Sequence, residues 1–276
     1  HVNADPDAIC AALAFSRLLQ VLRPTLSIEI AAAQGPSRLS KFLLQRIPAR
    51  LTDKPRIEEA EVIALLDTNT VQQLGEWSER VKASNAALIV IDHHASHPET
   101  ERLATLCVAD EKASSTCEIV YRLFKEAQVE LTQNEAKALF LGIAFDTRHF
   151  VLASSSTFKA IADIIDAGVK PEDTLYMLSL PMDPSERIAR LKASKRGKLL
   201  RINNWLVALS HVSAYQASAA RAMIDLGAHV AVVAGQHGDR IQISMRASQE
   251  FHEKTGVHLG RDIAKPLGEY LQGMGG

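Results

Sequence analysis

The chain has 276 residues, 47% hydrophobic and 23% charged, with 14 Gly, 10 Pro and a formal net charge of −1. Such a composition belongs to a globular protein of one large or two modest domains and excludes disordered, collagen-like and low-complexity classes. Near-neutrality gives no global pull toward nucleic acid or a membrane surface, so any polyanion site must be a local cluster.

The chain opens His1-Val2-Asn3-Ala4-Asp5-Pro6-Asp7, which is neither a basic region nor an apolar leader and does not mark an exported protein. In this bend Asp5 can cap a helix, Pro6 can take its first position and Asp7 its first turn. The helix is predicted over 8–22, where Ile9, Leu13, Leu18 and Val21 recur at helical spacing before Pro24. Val62-Ile63-Ala64-Leu65-Leu66 and Ala86-Ala87-Leu88-Ile89-Val90-Ile91 are short, unbroken apolar runs, the texture of parallel strands buried on both faces, although a short buried helix segment would read alike. Helices are predicted over 115–127, over 134–145 after the cap candidate Thr132, and over 156–167, closed by Gly168. Alternating strands and helices imply an α/β parallel sheet with flanking helices. From 187 to 201 there are seven Lys or Arg (Arg187, Arg190, Lys192, Lys195, Arg196, Lys198, Arg201) and no acid. Beyond them, Trp205 to Leu209, Val230 to Ala234 and the alternating Ile241, Ile243, Met245 read as strands of a smaller α/β domain. Gly235 to Asp239 reads as a turn with His237 and Asp239 in solvent. The expected division is a first domain over 1–180, a basic helical connector over 181–200 and a second domain over 201–276.

No run reaches the roughly 18 to 20 apolar residues of a membrane span. Cys10, Cys107 and Cys117 lack CxxC spacing, so neither a disulfide framework nor a thiolate zinc site is indicated, and a reducing cytoplasm fits.

Chemistry gathers where the apolar runs stop. The first predicted strand ends in Asp67 and the second in Asp92-His93-His94, and ligands of open α/β sheets bind beyond the carboxyl ends of strands. The apolar stretch up to Phe145 meets Asp146-Thr147-Arg148-His149. Singly, each of these is an ordinary cap, turn or loop residue. Together, one sheet edge would hold His1, Asp5, Asp7, Asp67, Asp92, His93, His94 and Asp146, and so many carboxylates repel unless cations neutralise them. Oxygen and imidazole donors without thiolate favour Mn²⁺ or Mg²⁺, and this many carboxylates call for two ions, an arrangement suited to phosphoryl transfer to water. There is no Walker-type phosphate loop, no His-Glu-x-x-His and no Gly-x-Ser-x-Gly.

At these residues the chain resembles the DHH phosphoesterase superfamily, which includes RecJ-type single-strand exonucleases, nanoRNase/pAp phosphatases and family II pyrophosphatases. The resemblance rests on His-x-x-x-Asp-x-Asp at His1, Asp5 and Asp7, on Asp67, on Asp92-His93-His94, on Ser114-Ser115-Thr116 opening a helix, and on Gly142-x-x-x-Asp146-Thr147. It implies that His1, Asp5 and Asp67 hold one Mn²⁺ and that Asp7, Asp67, His93 and Asp146 hold a second, with Asp67 bridging. It further implies that His94 faces the scissile phosphate as acid or electrostatic clamp, that Asp92 orients its neighbours, and that Ser115 and Thr116 offer backbone N–H groups to phosphate oxygens. The C-terminal part looks like the substrate-binding domain called DHHA1. Ser244-Met245-Arg246 resembles its Ser-x-Arg element, with Arg246 gripping a terminal phosphate, and Gly273-Met274-Gly275-Gly276 resembles the start of its Gly-rich loop, making Gly275 and Gly276 substrate-binding candidates. Family members place an apolar strand before the first His and a further His after the glycines, so the chain reads as trimmed at both ends. The expected activity is Mn²⁺-dependent hydrolysis of phosphodiester or phosphomonoester bonds in short single-stranded oligonucleotides or nucleotides such as pAp, with the basic stretch lining the cleft between domains. A pyrophosphatase or polyphosphatase and a nonhydrolytic nucleotide-binding module are the alternatives. No membrane partner is expected, and a homodimer stays open.

Overall fold

The computed structural model describes residues 1–47 and 49–275, which divide into two units, His1–Leu180 and Pro181–Gly276. Both are mixed α/β. Among the described residues no helix is long and apolar enough to cross a membrane.

In the first unit, α1 (Pro6–Leu22) starts because the Asp5 carboxylate accepts the Ala8 N–H and Pro6 stands where no N–H is needed. Strands β1 (Val62–Leu66), β2 (Ala87–Asp92) and β3 (Leu106–Ala109) form a parallel sheet in that order, with Val62 opposite Ala87 and Ile89 opposite Leu106. One face packs Leu65, Leu88 and Val90 on Val71, Leu74 and Trp77. The other sets Leu66, Ile89 and Ile91 against Ile119 and Phe15. Burial on both faces is therefore the rule, although Val62 and Leu106, at the entry ends of the outer strands, stay exposed.

Helix α2 (Thr116–Glu126) is capped by the Ser115 hydroxyl, which accepts the Glu118 N–H. Thr132 and Glu135 cap α3 (Gln133–Asp146) reciprocally, and α4 (Ser155–Asp166) stops at Gly168, whose φ of 99° favours glycine. Leu139, Phe140, Leu141, Ile143 and Ala144 are wholly buried, so α3 is apolar round its circumference and forms the heart of the unit, packed with Cys10, Ala11, Ala14 and Leu18 of α1. Two parallel pairings lie outside the predicted elements, namely β3 and the two-residue pair Ile30–Ala31 with Leu51–Thr52. Both are too short to show a period in the sequence.

The second unit includes α5 (Pro184–Arg196), β4 (Lys198–Ile202), β5 (Trp205–His211), α6 (Gln216–Asp225), β6 (Val230–His237), β7 (Arg240–Ala247) and α7 (Gln249–Thr255), followed by short helical segments over Leu259–Ala264 and Lys265–Tyr270. Its sheet runs β4–β5–β6–β7, antiparallel except for the parallel β5–β6 step that α6 bridges. Ala193 of α5 and Ala219, Ala220 and Met223 of α6 pack on Ala208, Ala231 and Val233. The basic helix thus builds the core of this unit. It ends at Gly197, and the basic stretch continues as the edge strand β4, where Lys198 and Arg201 stand among exposed Leu199, Leu200 and Ile202. Strand β6 runs on past Gly235, so the turn contracts to Gly238 and Asp239, with Gly238 at φ 59° and Asp239 exposed. The expected exposure of His237 concerns a side chain outside the described residues.

Candidate metal centre

Four chain segments meet at the carboxyl end of the first sheet. Asp67 directly follows β1 and keeps the ladder going, its N–H donating to the Ile91 carbonyl at 3.0 Å. Its φ of 54° lies in the left-handed region, which Asp tolerates better than most residues and which re-aims the side chain off the strand. Asp92 is the last residue of β2, and His93 and His94 follow it. The N-terminal segment is tied down by the Val2 N–H donating to the Gln73 carbonyl at 2.7 Å and by the Ser37 N–H and Ser40 hydroxyl donating to the Ala4 carbonyl, each at 2.8 Å. Asp146 ends α3, where the helix dipole is negative and a carboxylate is disfavoured unless a cation answers it.

These segments bring their donors close together. His93 Nε2 lies 3.0 Å from Asp146 Oδ2 and 3.5 Å from Asp67 Oδ1, and His94 Nδ1 lies 3.5 Å from Asp67 Oδ1. His1 Nε2 lies 3.9 Å from Asp67 Oδ2. Among the described residues, ligand atoms within 4.8 Å of one another form three groups: His1, Asp5 and Asp67; Asp7, Asp67, His93 and Asp146; and Asp67, Asp92, His93 and His94. Asp67 belongs to all three.

The electrostatics of this cluster are those of carboxylates that repel one another and lack a full compensating charge. Asp7, Asp67 and Asp92 are buried. Burial first, then the charges of Asp5, Asp146 and Asp92, push the Asp67 carboxyl up to about 7. Burial, with Asp67 and Asp146, drives Asp7 well above the usual carboxylate range, and burial also raises Asp5 against the opposing Ala8 N–H. For His93 burial works against protonation, but the carboxylate of Asp146 and the charges of Asp7 and Asp67 outweigh it and push the ring up to about 9. Asp92 Oδ2 is buried with no hydrogen-bond partner among the described residues, and buried His93 Nε2 has only the poorly aligned Asp146 carboxylate beside it, which is costly unless a further group takes them. Carboxylates, imidazoles and orphaned buried lone pairs together fit a hard divalent cation. The nearby thiols do not join: burial pushes Cys10 and Cys117 up, and Cys117 Sγ faces the Asp7 carbonyl at 3.6 Å.

The other candidates fall in different places. Asp92 Oδ1 accepts from the His94 N–H at 2.9 Å and lies 2.8 Å from His94 Nδ1, so it orients that ring, whose side chain is 53% exposed. Ser115 and Thr116 are fully buried. Because the Ser115 hydroxyl caps α2 and the Thr116 N–H donates to Asp7 Oδ2 at 2.7 Å, the start of α2 serves a carboxylate of the site instead of offering the Thr116 N–H to a phosphate. Arg246 lies on β7 in the second unit, exposed, with Nη1 donating to its neighbour's carbonyl. Gly275 packs so closely that a Cβ there would stand 1.9 Å from the Ala264 carbonyl oxygen, and Gly276 lies outside the described residues.

One residue of the α3 motif carries more weight than a sequence pattern assigns it. A Cβ on Gly142 would stand 2.2 Å from Cys117 Sγ and 2.8 Å from Asp7 Oδ1. The signal in the sequence is a glycine inside an otherwise apolar helix. A helical Gly→Ala change ordinarily stabilises by up to about 1 kcal/mol. Here Gly142→Ala is expected to destabilise by roughly 1–3 kcal/mol through overpacking against Cys117 and Asp7, and a thermal melt decides between the two signs.

The carboxylate-rich sheet edge gives a donor set that fits divalent cations, and comparison with known proteins places the chain in a family. Residues 1–143 match the DHH family, N-terminal domain. The chain is 34% identical over 279 residues to an uncharacterized protein of Methanocaldococcus jannaschii, with 100% of this chain and 82% of that protein covered. It is 28% identical over 170 residues to the bifunctional oligoribonuclease and PAP phosphatase NrnA of Bacillus subtilis, with 60% of this chain and 50% of that enzyme covered. Among solved structures, an exopolyphosphatase-related protein of Bacteroides fragilis shares the fold, with a TM-score of 0.64 at 20% identity over 91% of this chain and 78% of that one. The chain belongs to the DHH family of phosphoesterases.

Proposed function

We propose that the protein hydrolyses phosphodiester or phosphomonoester bonds in short single-stranded oligonucleotides or in nucleotides such as pAp, with two Mn²⁺ ions as cofactor. The observation that carries this reading is that Asp67 belongs both to the His1, Asp5 group and to the Asp7, His93, Asp146 group, because a carboxylate shared in this way suits two neighbouring cations. His1, Asp5 and Asp67 would hold one ion, and Asp7, Asp67, His93 and Asp146 the other. Bound there, the ions supply positive charge to the phosphoryl oxygens and acidify a water. Asp92 holds His94 through Nδ1, which leaves Nε2 of this half-exposed ring to face substrate and carry a proton to the leaving oxygen. Arg246, on an exposed strand of the second unit, suits a terminal phosphate, and the basic stretch from Arg187 to Arg201 suits a phosphodiester backbone. The relationship to NrnA is consistent with nucleotide substrates, just as the equally extensive relationship to a probable manganese-dependent inorganic pyrophosphatase of Streptococcus equi is with inorganic ones.

The test is hydrolysis of a labelled RNA dinucleotide, pAp and inorganic pyrophosphate in parallel, with Mn²⁺ and with chelator. The expected result is metal-dependent release from the dinucleotide and pAp. Pyrophosphate turnover far exceeding both would put the pyrophosphatase reading first. Tight nucleotide binding without turnover would mark a nonhydrolytic module.

A further inference from the structure

Thr116 touches two of the clustered carboxylates at once. Its N–H donates to Asp7 Oδ2 at 2.7 Å and its hydroxyl donates to Asp67 Oδ1 at 3.1 Å, while the next N–H, that of Cys117, donates to Asp7 Oδ1 at 3.0 Å. Asp7 is therefore gripped through both oxygens by the first turn of α2, where unpaired N–H groups and the helix dipole favour an anion. Thr116 itself has no exposed surface. Glu118, also buried, fixes this turn from behind: its carboxylate accepts from the N–H and hydroxyl of Ser114, at 3.1 and 2.7 Å, and from the Thr157 hydroxyl at 3.0 Å, and it pairs with Arg122 at 2.6 Å. Thr116 thus has a locked backbone and one hydroxyl proton to give, and that proton goes to the carboxylate that all three donor groups share.

We infer that Thr116 is a positioning residue of the metal centre: its N–H and hydroxyl hold Asp7 and Asp67 in register with each other, so that the two carboxylates present their remaining lone pairs to cations without first having to be ordered. A hydroxyl donor on Asp67 Oδ1 also orients that carboxylate, leaving Oδ2 turned toward His1, 3.9 Å away. The helix start would therefore do its work behind the cations, through the carboxylates it holds. This inference rests on the two-cation reading given above.

Thr116→Val keeps the shape and the backbone N–H and removes only the hydroxyl, whereas Thr116→Ser keeps both donors. The measurement is the affinity and stoichiometry of Mn²⁺, followed by electron paramagnetic resonance of free Mn²⁺ in titrations of the full chain, with the melting temperature in chelator recorded alongside. Thr116→Val is expected to weaken Mn²⁺ binding by roughly 10- to 100-fold, as loss of an outer hydrogen-bond partner does at other metal sites, with Thr116→Ser close to the parent. If the Val side chain prevents folding, Thr116→Ala takes its place with the same expectation. Parental Mn²⁺ affinity in the folded Val or Ala variant, or loss of affinity in the Ser variant as large as in Val, overturns the inference. A parent protein that binds no Mn²⁺ refutes the two-cation reading itself and is distinguishable because it needs no variant.

Discussion

Replacing Asp67 with asparagine is expected to raise the melting temperature of the metal-free protein while removing its metal binding and its activity. Asp67 is buried and held up to about 7, by burial first and then by Asp5, Asp146 and Asp92. Ionising such a group at pH 8 costs on the order of 4 kcal/mol relative to the unfolded chain, because each unit of pKa shift is about 1.4 kcal/mol. Asparagine has the same shape and keeps an oxygen for the Thr116 hydroxyl, but carries no charge. Part of the relief is lost because the neighbouring acids then ionise more readily, so the net gain expected is roughly 1–3 kcal/mol, a rise of several degrees. The cost falls on function. With the shared ligand neutral, activity is expected to drop well beyond the roughly 10- to 100-fold that a change in an outer partner costs. Melts in chelator and in excess Mn²⁺, with turnover of a labelled dinucleotide, check both halves. An Asn variant that melts below the parent in chelator contradicts the account of the cluster as mutually repelling.

The second large effect is on pH. Asp67 stands at about 7 in the folded chain against 3.8 for an unperturbed aspartate, Asp7 is raised in the same direction, and His93 stands at about 9 against 6.5 for an unperturbed histidine. A group whose folded pKa is raised binds its proton more tightly when folded, so its stabilisation is complete below the unfolded pKa and lost as pH passes the folded one. For Asp67 the loss runs from about pH 4 to 7, and for His93 from about 6.5 to 9. Metal-free protein is therefore expected to lose a few kcal/mol of stability between about pH 5 and 9, less than the separate shifts would add up to because these sites share their protons. Cations must displace the same protons, so Mn²⁺ affinity is expected to rise over this range, with proton release visible as a buffer-dependent heat in calorimetry. A flat melting profile in chelator combined with pH-independent affinity would refute this.

Much of the site was legible because the apolar runs stop so abruptly. Val62 to Leu66 and Ala87 to Ile91 are too short and too uniformly apolar for a surface helix, and the structure puts Asp67 and Asp92 at their carboxyl ends. The caps Asp5 and Thr132 were equally readable, since each is a short polar side chain standing before a helical pattern, whereas Ser115 reads in the sequence as the first residue of its helix and is its cap. Thr116 was not. An N–H at a helix start takes a phosphate or a carboxylate equally well, and nothing local in the sequence tells which anion reaches it. Asp7 does, from 109 residues away. The edge strand β4 was hidden for a different reason, because its Lys and Arg continue the composition of the preceding helix and only Gly197 marks the change of period.

The distances along the chain that this centre spans have a consequence for the life of the protein in a cell. Thr116 reaches Asp7 across 109 residues and Asp67 across 49. An unfolded chain offers no comparable cage, so cations bind the native form alone, and each tenfold excess over the dissociation constant adds about 1.4 kcal/mol to its stability. Under the proposed Mn²⁺ dependence, metal supply would govern abundance as well as rate. Starved cells are expected to degrade this polypeptide faster, and the pool that survives will track the metal that once filled it.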